Sequence, residues 1–316
     1  MIYLCGSIFV MIALGMNPFI NSQGFARVGM LTVLLGALAN IALDPVFIFV
    51  LGWGVRGAAF ATILSQFLSA VWVVGFLRGR NAELKLRREE FRLEARRVKK
   101  ILSLGTAGFV MSCTNSVVQA ACNSMLQTFG GDLYIGVMTV VNSIREIAQT
   151  PAQAMGDGAS PVMSYNYGEG QCRKVKRGIW FMTLLTVIYL AAMWLILFLF
   201  PRLFISIFNR DPELVETAVP CLHLYFFGFF MMAFQIAGQS VFKSLGKARQ
   251  AIFFSLFRKI IIVVPLTFIL PHVAGLGVMG VFLAEPISNF IGGAACFITM
   301  CATILPELRI DNGRTL

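Results

Sequence analysis

Charge is scarce in this sequence. Only 13% of its 316 residues are Asp, Glu, Lys or Arg, and only 15 of them are acidic, against roughly a quarter charged in soluble domains. Histidine occurs twice, at His223 and His272, neither with a partner at ligand spacing. The seven cysteines (Cys5, Cys113, Cys122, Cys172, Cys221, Cys296 and Cys301) form no CxxC or other metal spacing. Most lie in apolar runs, where a thiol behaves as a small hydrophobe, so free thiols and no structural disulfide are predicted. Walker, HExxH, GxSxG and Rossmann patterns are all missing. These gaps exclude a water-soluble fold and give no support for an enzyme, a resident cofactor or a metal.

What fills the chain instead is apolar surface: 58% hydrophobic residues and a mean hydropathy of +0.79. So few charges could not cover that surface in water, and a span needs roughly 20 apolar residues. An all-α, polytopic membrane protein is predicted, with nine spans near 2–20, 28–51, 57–77, 101–128, 133–160, 178–202, 214–241, 250–271 and 277–304. One connection is long, 78–100. The others are tight, with turn chemistry such as Gly52-Trp53-Gly54, Gly130-Gly131-Asp132 and Asn209-Arg210-Asp211-Pro212.

A net charge of +11 would suit nucleic acid, but the basic residues cluster between apolar runs, as the positive-inside rule requires. No nucleic-acid partner is expected. One side collects Arg27, ten residues in 78–100, four in 173–177, five in 243–259 and two in the tail, 22 in all. The other side has Arg56, Arg202 and Arg210, and Arg145 lies within a span. This bias predicts a multi-pass protein of the cell (inner) membrane, with the 78–100 linker and the C-terminus cytoplasmic and the N-terminus outside. No basic n-region precedes the first span, so no cleaved leader is predicted. Glu83, Glu89, Glu90 and Glu94 interrupt the basic linker, which reads as an amphipathic connector.

An internal repeat bears on the odd number of spans. At an offset of 222, Tyr3 falls on Tyr225, Gly6 on Gly228, Ser22 on Ser244, Gly24 on Gly246, Ala26 on Ala248 and Arg27 on Arg249. After a slip of one residue, Gly52, Gly54, Val55, Gly57, Ala61 and Ser65 fall on Gly275, Gly277, Val278, Gly280, Ala284 and Ser288. Spans one to three thus repeat spans seven to nine in the same orientation, a parallel repeat about an axis along the membrane normal. Spans four to six have no counterpart ahead of span one. The preferred reading is a chain lacking three helices, on the order of 120 residues, at its start; the alternative is a nine-helix protein. On the preferred reading, 1–77 is the second half of an N-terminal lobe and 78–100 an interlobe linker. The C-terminal six-helix lobe is then 101–304, and 305–316 is a cytoplasmic tail.

The residues that carry the repeat also carry a resemblance. Ser22–Gln66, with Gly24, Asn40, Asp44-Pro45 and Gly52-x-Gly54-x-x-Gly57, resembles helices five and six of the multidrug and toxic compound extrusion (MATE) family. Gly158–Gly168, Ser244–Arg249 and Gly275-x-Gly277-x-x-Gly280 are similar to later motifs of that family. The resemblance covers essentially the whole chain. It implies a two-lobe bundle of twelve helices, nine of them present here, around a central cavity. It also implies a monomer in the lipid bilayer that exports small-molecule organic cations or drugs by proton or sodium antiport. Two other readings are kept: a flippase-like exporter of lipid-linked sugars, with Arg145 as its one in-span base, and a truncated non-transporting fragment. The sodium-coupled branch has acids where this chain has Asn115, Gln119, Gln235 and Gln239. The first-helix Asp of the proton-coupled branch is absent, which leaves the coupling ion open.

Polar groups inside spans are costly and mark pathways. Asn142, Glu146, Gln149 and Gln153 follow i, i+4, i+7, i+11 down span five. Asn115, Gln119 and Asn123 make a stripe on span four, Gln235 and Gln239 on span seven, and Glu285 and Asn289 on span nine. Interhelical hydrogen bonding would account for any one stripe; four converging stripes predict a shared wet cavity. Substrate- or ion-binding candidates are therefore Glu146, Asn142, Gln149, Gln153, Asn115, Gln119, Gln235, Gln239, Glu285 and Asn289. Glu146 ranks first, with a silent ion pair to Arg145 as its structural alternative. Glu285 precedes Pro286, whose missing N–H breaks the helix ladder. Asp44 beside Pro45 reads as packing.

Overall fold

The computed structural model describes residues 2–79, 82–85, 94–273 and 275–310. Residues 80–81 and 86–93 of the predicted linker, including Glu89 and Glu90, and the tail from 311 onward lie outside the described residues. All nine apolar segments are helical among those residues, with no strand. The chain divides into two compact units, Met1–Ala95 and Arg96–Leu316.

The first unit holds α1 (Ile2–Ser22), α2 (Ala26–Val50, ending in a π-helical turn Val46–Val50) and α3 (Gly54–Arg78). Lipid offers no hydrophobic drive between helices, so close packing depends on small residues at the crossings. Ser69 on α3 lies against Gly36 on α2 and donates to the Thr32 carbonyl at 3.0 Å. Ile20, Val73 and Leu77 form the buried centre. Outward-facing apolar side chains such as Met11, Ile41, Phe49 and Trp72 are exposed, as expected of surfaces that face acyl chains.

The second unit begins with one continuous helical stretch, Ala95–Gly168, broken at Gly131 (φ 69°, ψ −163°) into α4 (95–130) and α5 (132–168). That backbone conformation is essentially open to glycine alone. Asn142 donates to Gln119 at 3.3 Å across the break, so the two halves run antiparallel. Next come α6 (Cys172–Leu199) and a short helix α7 (Pro201–Phe208). The α7 helix corrects the expected reading of a span running to 202 followed by a tight loop. Pro201 has no N–H to continue α6, yet its fixed φ suits a helix start. Asp211 caps α8 (Pro212–Tyr225) by accepting from the Glu213 N–H. α8 and α9 (Met232–Ser244) form one broken span bent by 46° near Gly228 (φ 73°) and the 3-10 turn Phe229–Met231. α10 (Ala248–His272) contains a π-helical turn Phe257–Val263, and α11 (Val278–Ile310) closes the described chain.

The repeat is written in the backbone. Gly24 and Gly246 have φ of 85° and 74°, Gly52 and Gly275 of 65° and 70°, Gly54 and Gly277 of 54° and 50°. A Cβ at Gly57 would meet the Phe47 carbonyl at 2.5 Å, and one at Gly280 the Leu270 carbonyl at 2.6 Å. Both partners, Phe47 and Leu270, already stand in the slipped register, so the extra residue lies before them. The first unit is regular α-helix from Ala26 to Pro45, whereas the second has its π turn Phe257–Val263 in the matching stretch. A π turn holds one residue more than the α turn it replaces, and this one falls in the stretch where the register slips.

Candidate functional site

The π turn of α10 also presents the most buried charge among the described residues of the second unit. Arg258 lies about 15 Å into the helix at 1.5 Å per residue, is 3% exposed, and packs on Gly292 of α11. A Cβ there would stand 2.7 Å from Arg258 Cγ. The first unit has Gly36 against Ser69 at its matching crossing; the large and small partners have changed sides. Arg258 Nη1 donates to Glu285 Oε1 at 2.9 Å and to Asn289 Oδ1 at 2.6 Å, partners one turn apart on α11. Arg145 Nη1, from α5, stands 3.9 Å from the same Glu285 oxygen. One carboxylate therefore ties α5, α10 and α11 together. The set is not saturated: Arg145 Nε, Arg258 Nε, Asn289 Nδ2 and Gln235 Oε1 are buried without a hydrogen-bond partner among the described residues.

Two polar cavities adjoin this cluster and share Asn115, Arg258 and Lys259 as a common wall. The one nearer the Gly131 end of α5 is a narrow cavity of about 60 Å³, also lined by Gln119, Asn142, Arg145, Tyr225 and Glu285. The one nearer the opposite end is larger, part of it open to solvent. Its further lining includes Gln149, Gln153, Asp157, Gln235, Gln239 and Lys243.

Of the predicted residues, Asn115, Gln119, Asn142 and Glu285 line the first cavity, and Gln149, Gln153, Gln235 and Gln239 line the second with Asn115. Asn289 is 1% exposed and holds Arg258. Glu146 is exposed and lines neither of these two cavities. Successive helix residues are about 100° apart, and the inward edge of the stripe falls to Arg145, which reaches Glu285 rather than Glu146. Asn123 is likewise exposed. Sequence reasoning missed Arg258, Lys259, Asp157 and Lys243. Charge counting along the chain puts Arg258 and Lys259 with the basic loop side, although both fall inside the apolar run 250–271; removing them leaves 20 basic residues against three. Asp157 continues the α5 stripe four residues after Gln153.

Helices with lipid-facing apolar sides around a charged interior define a multi-pass membrane protein. The chain matches the MatE family model over residues 108–269, and it belongs to that family. It is 23% identical over 309 residues to a FAD transporter of Shewanella oneidensis, covering 93% of this chain and 65% of that protein. It is 22% identical over 289 residues to the probable multidrug resistance protein YoeA of Bacillus subtilis, covering 88% and 61%. A solved outward-facing multidrug resistance MATE family transporter of the MOP superfamily superposes with a TM-score of 0.91 at 23% identity, covering 97% of this chain and 68% of that one. The chain thus spans less than two-thirds of the length of these curated relatives.

Proposed function

We propose that the protein is a secondary active exporter of small organic molecules working by alternating access, with the two cavities of the Arg96–Leu316 unit as its solute and ion site. The observation that carries this reading is the Glu285 carboxylate, on the wall of the first cavity, held by Arg145 and by Arg258, which lines both cavities. A proton or sodium ion that neutralised Glu285 would leave two guanidinium groups without a counter-charge. Helices α5, α10 and α11 would then have to repack together, and a bistable element of this kind is what couples an ion to a conformational change. The relatives named as multidrug resistance and FAD transporters support a small-molecule cargo; amphipathic organic cations and drugs are the class the family resemblance implies. The exporter acts as a monomer in the cell (inner) membrane with its C-terminus cytoplasmic, coupled by proton or sodium antiport. On this reading residues 1–77 serve as half of an N-terminal lobe, 78–100 as the linker and 101–304 as the C-terminal lobe.

The test is dye efflux from cells stripped of their own pumps, before and after ionophores collapse the proton and sodium gradients. Gradient-driven efflux that Glu285→Gln uncouples is the expected result. Efflux indifferent to both gradients would end the proposal. The cavity-lining bases Arg258 and Lys259 give the lipid-linked sugar reading more cavity charge than Arg145 alone supplied, and retention of every soluble dye with movement of a lipid-linked one would favour it.

A further inference from the structure

The sign of the charge around the two cavities points to the class of solute. Four cationic side chains line them, Arg145, Lys243, Arg258 and Lys259, against two carboxylates, Asp157 and Glu285. Glu285 is already engaged by both arginines. Lys259 is different: it is half-buried, lines both cavities, and has no carboxylate within ion-pair distance among the described residues. Burying an ammonium without a counter-charge is unfavourable unless another anion visits it. Beside it on the shared wall stand Arg258 and the Asn115 amide, and Arg145 lines the smaller cavity with them. The neutral Asn and Gln stripes supply further amide donors and no competing charge.

We infer that the wall shared by the two cavities, centred on Lys259 with Arg258 behind it, binds the anionic group, phosphate or carboxylate, of an organic solute. The organic remainder occupies the larger cavity among Gln149, Gln153, Gln235 and Gln239. This rests on the transporter reading for its setting, but the binding chemistry stands on its own. An organic cation meets repulsion at the same wall. The net positive lining is particular to the second unit, because the crossing that matches Arg258–Gly292 in the first unit is Gly36–Ser69, with no charge.

The experiment uses the purified chain in phosphatidylcholine nanodiscs and two fluorescent probes of similar size, the anion carboxyfluorescein and the cation rhodamine 6G, read by anisotropy. Carboxyfluorescein is expected to bind, with Lys259→Met weakening it about ten- to hundred-fold, the worth of one charge-assisted contact. Lys259→Arg should retain most of the affinity, and added salt should lower it in the wild type. A second set of nanodiscs containing phosphatidylglycerol separates the sources of the anion. Displacement of the dye assigns the wall to a lipid headgroup, and no displacement assigns it to a soluble anion; both agree with the inference. Rhodamine 6G bound in preference, or carboxyfluorescein binding untouched by Lys259→Met in a protein with unchanged thermal unfolding, would overturn it, as would binding of neither dye. Anion binding without gradient-driven efflux would leave the inference standing and remove the transporter reading; rhodamine 6G efflux driven by a gradient would do the reverse.

Discussion

An arginine 3% exposed within a lipid-facing bundle keeps its charge only while something nearby answers it. At Arg258 the answer is Glu285 and Asn289, with Arg145 on the far side of the same carboxylate. Removing one partner of a buried pair costs far more than the pair contributes, because it strands the other charge. Glu285→Gln is therefore expected to lower stability by about 3 kcal/mol, read as a fall in the unfolding temperature in detergent. The double variant Arg258→Met with Glu285→Met should recover much of that loss, and failure to recover would mean that Arg145 depends on Glu285 as strongly as Arg258 does. Glu146 offers the contrast. Exposed and off both cavities, it is expected to tolerate Glu146→Gln within about 0.5 kcal/mol and with dye efflux unchanged; a loss of coupling in that variant would bring Glu146 back into the site.

Two glycines decide the shape of the elements that carry these side chains. Gly131 holds φ 69° and ψ −163° where α4 turns into α5, a region in which a side chain costs on the order of 1–3 kcal/mol. Gly131→Ala should lower the unfolding temperature accordingly and weaken the pairing of Asn142 with Gln119. Gly292 makes room for Arg258 rather than for a turn. A larger residue there has to push the Arg258 stem aside, and overpacking of this kind costs roughly 1–3 kcal/mol. Gly292→Val is expected to destabilise by that amount and to reduce carboxyfluorescein binding in parallel, since the wall moves with the arginine. The π turn Phe257–Val263 belongs to the same account: it carries both Arg258 and Lys259, which line the two cavities.

For the molecule as a whole, the basic residues outside the spans still divide 20 to three once Arg258 and Lys259 are placed inside the membrane. A fluorescent protein fused after Leu316 should therefore glow in the cytoplasm, while an alkaline phosphatase fusion at the same point should be inactive. The opposite pattern would invert the topology. The apolar segments and the parallel repeat were legible in the chain because they depend on composition along the sequence: apolar length, glycine punctuation and lysine–arginine bias; the short helix α7 and the break between α8 and α9 were not. The glycine pairs Gly24/Gly246, Gly52/Gly275 and Gly54/Gly277 carried that signal into matching backbone angles.

Polar stripes, by contrast, show which residues share a helix face but not which way the face points. Asn142 and Glu146 belong to one stripe, yet only Asn142 lines a cavity. Arg258 and Lys259 looked like the end of a basic loop because charge counting runs along the chain, whereas their burial depends on a π turn and on a glycine 34 positions later. By itself the sequence determined a multi-pass helical membrane protein with a doubled three-helix unit, since transfer from water to lipid acts on each segment separately. Only the tertiary structure decided that the centre of the second unit is positively charged, because that depends on which side chains from α5, α10 and α11 come within hydrogen-bond and ion-pair distance of one another.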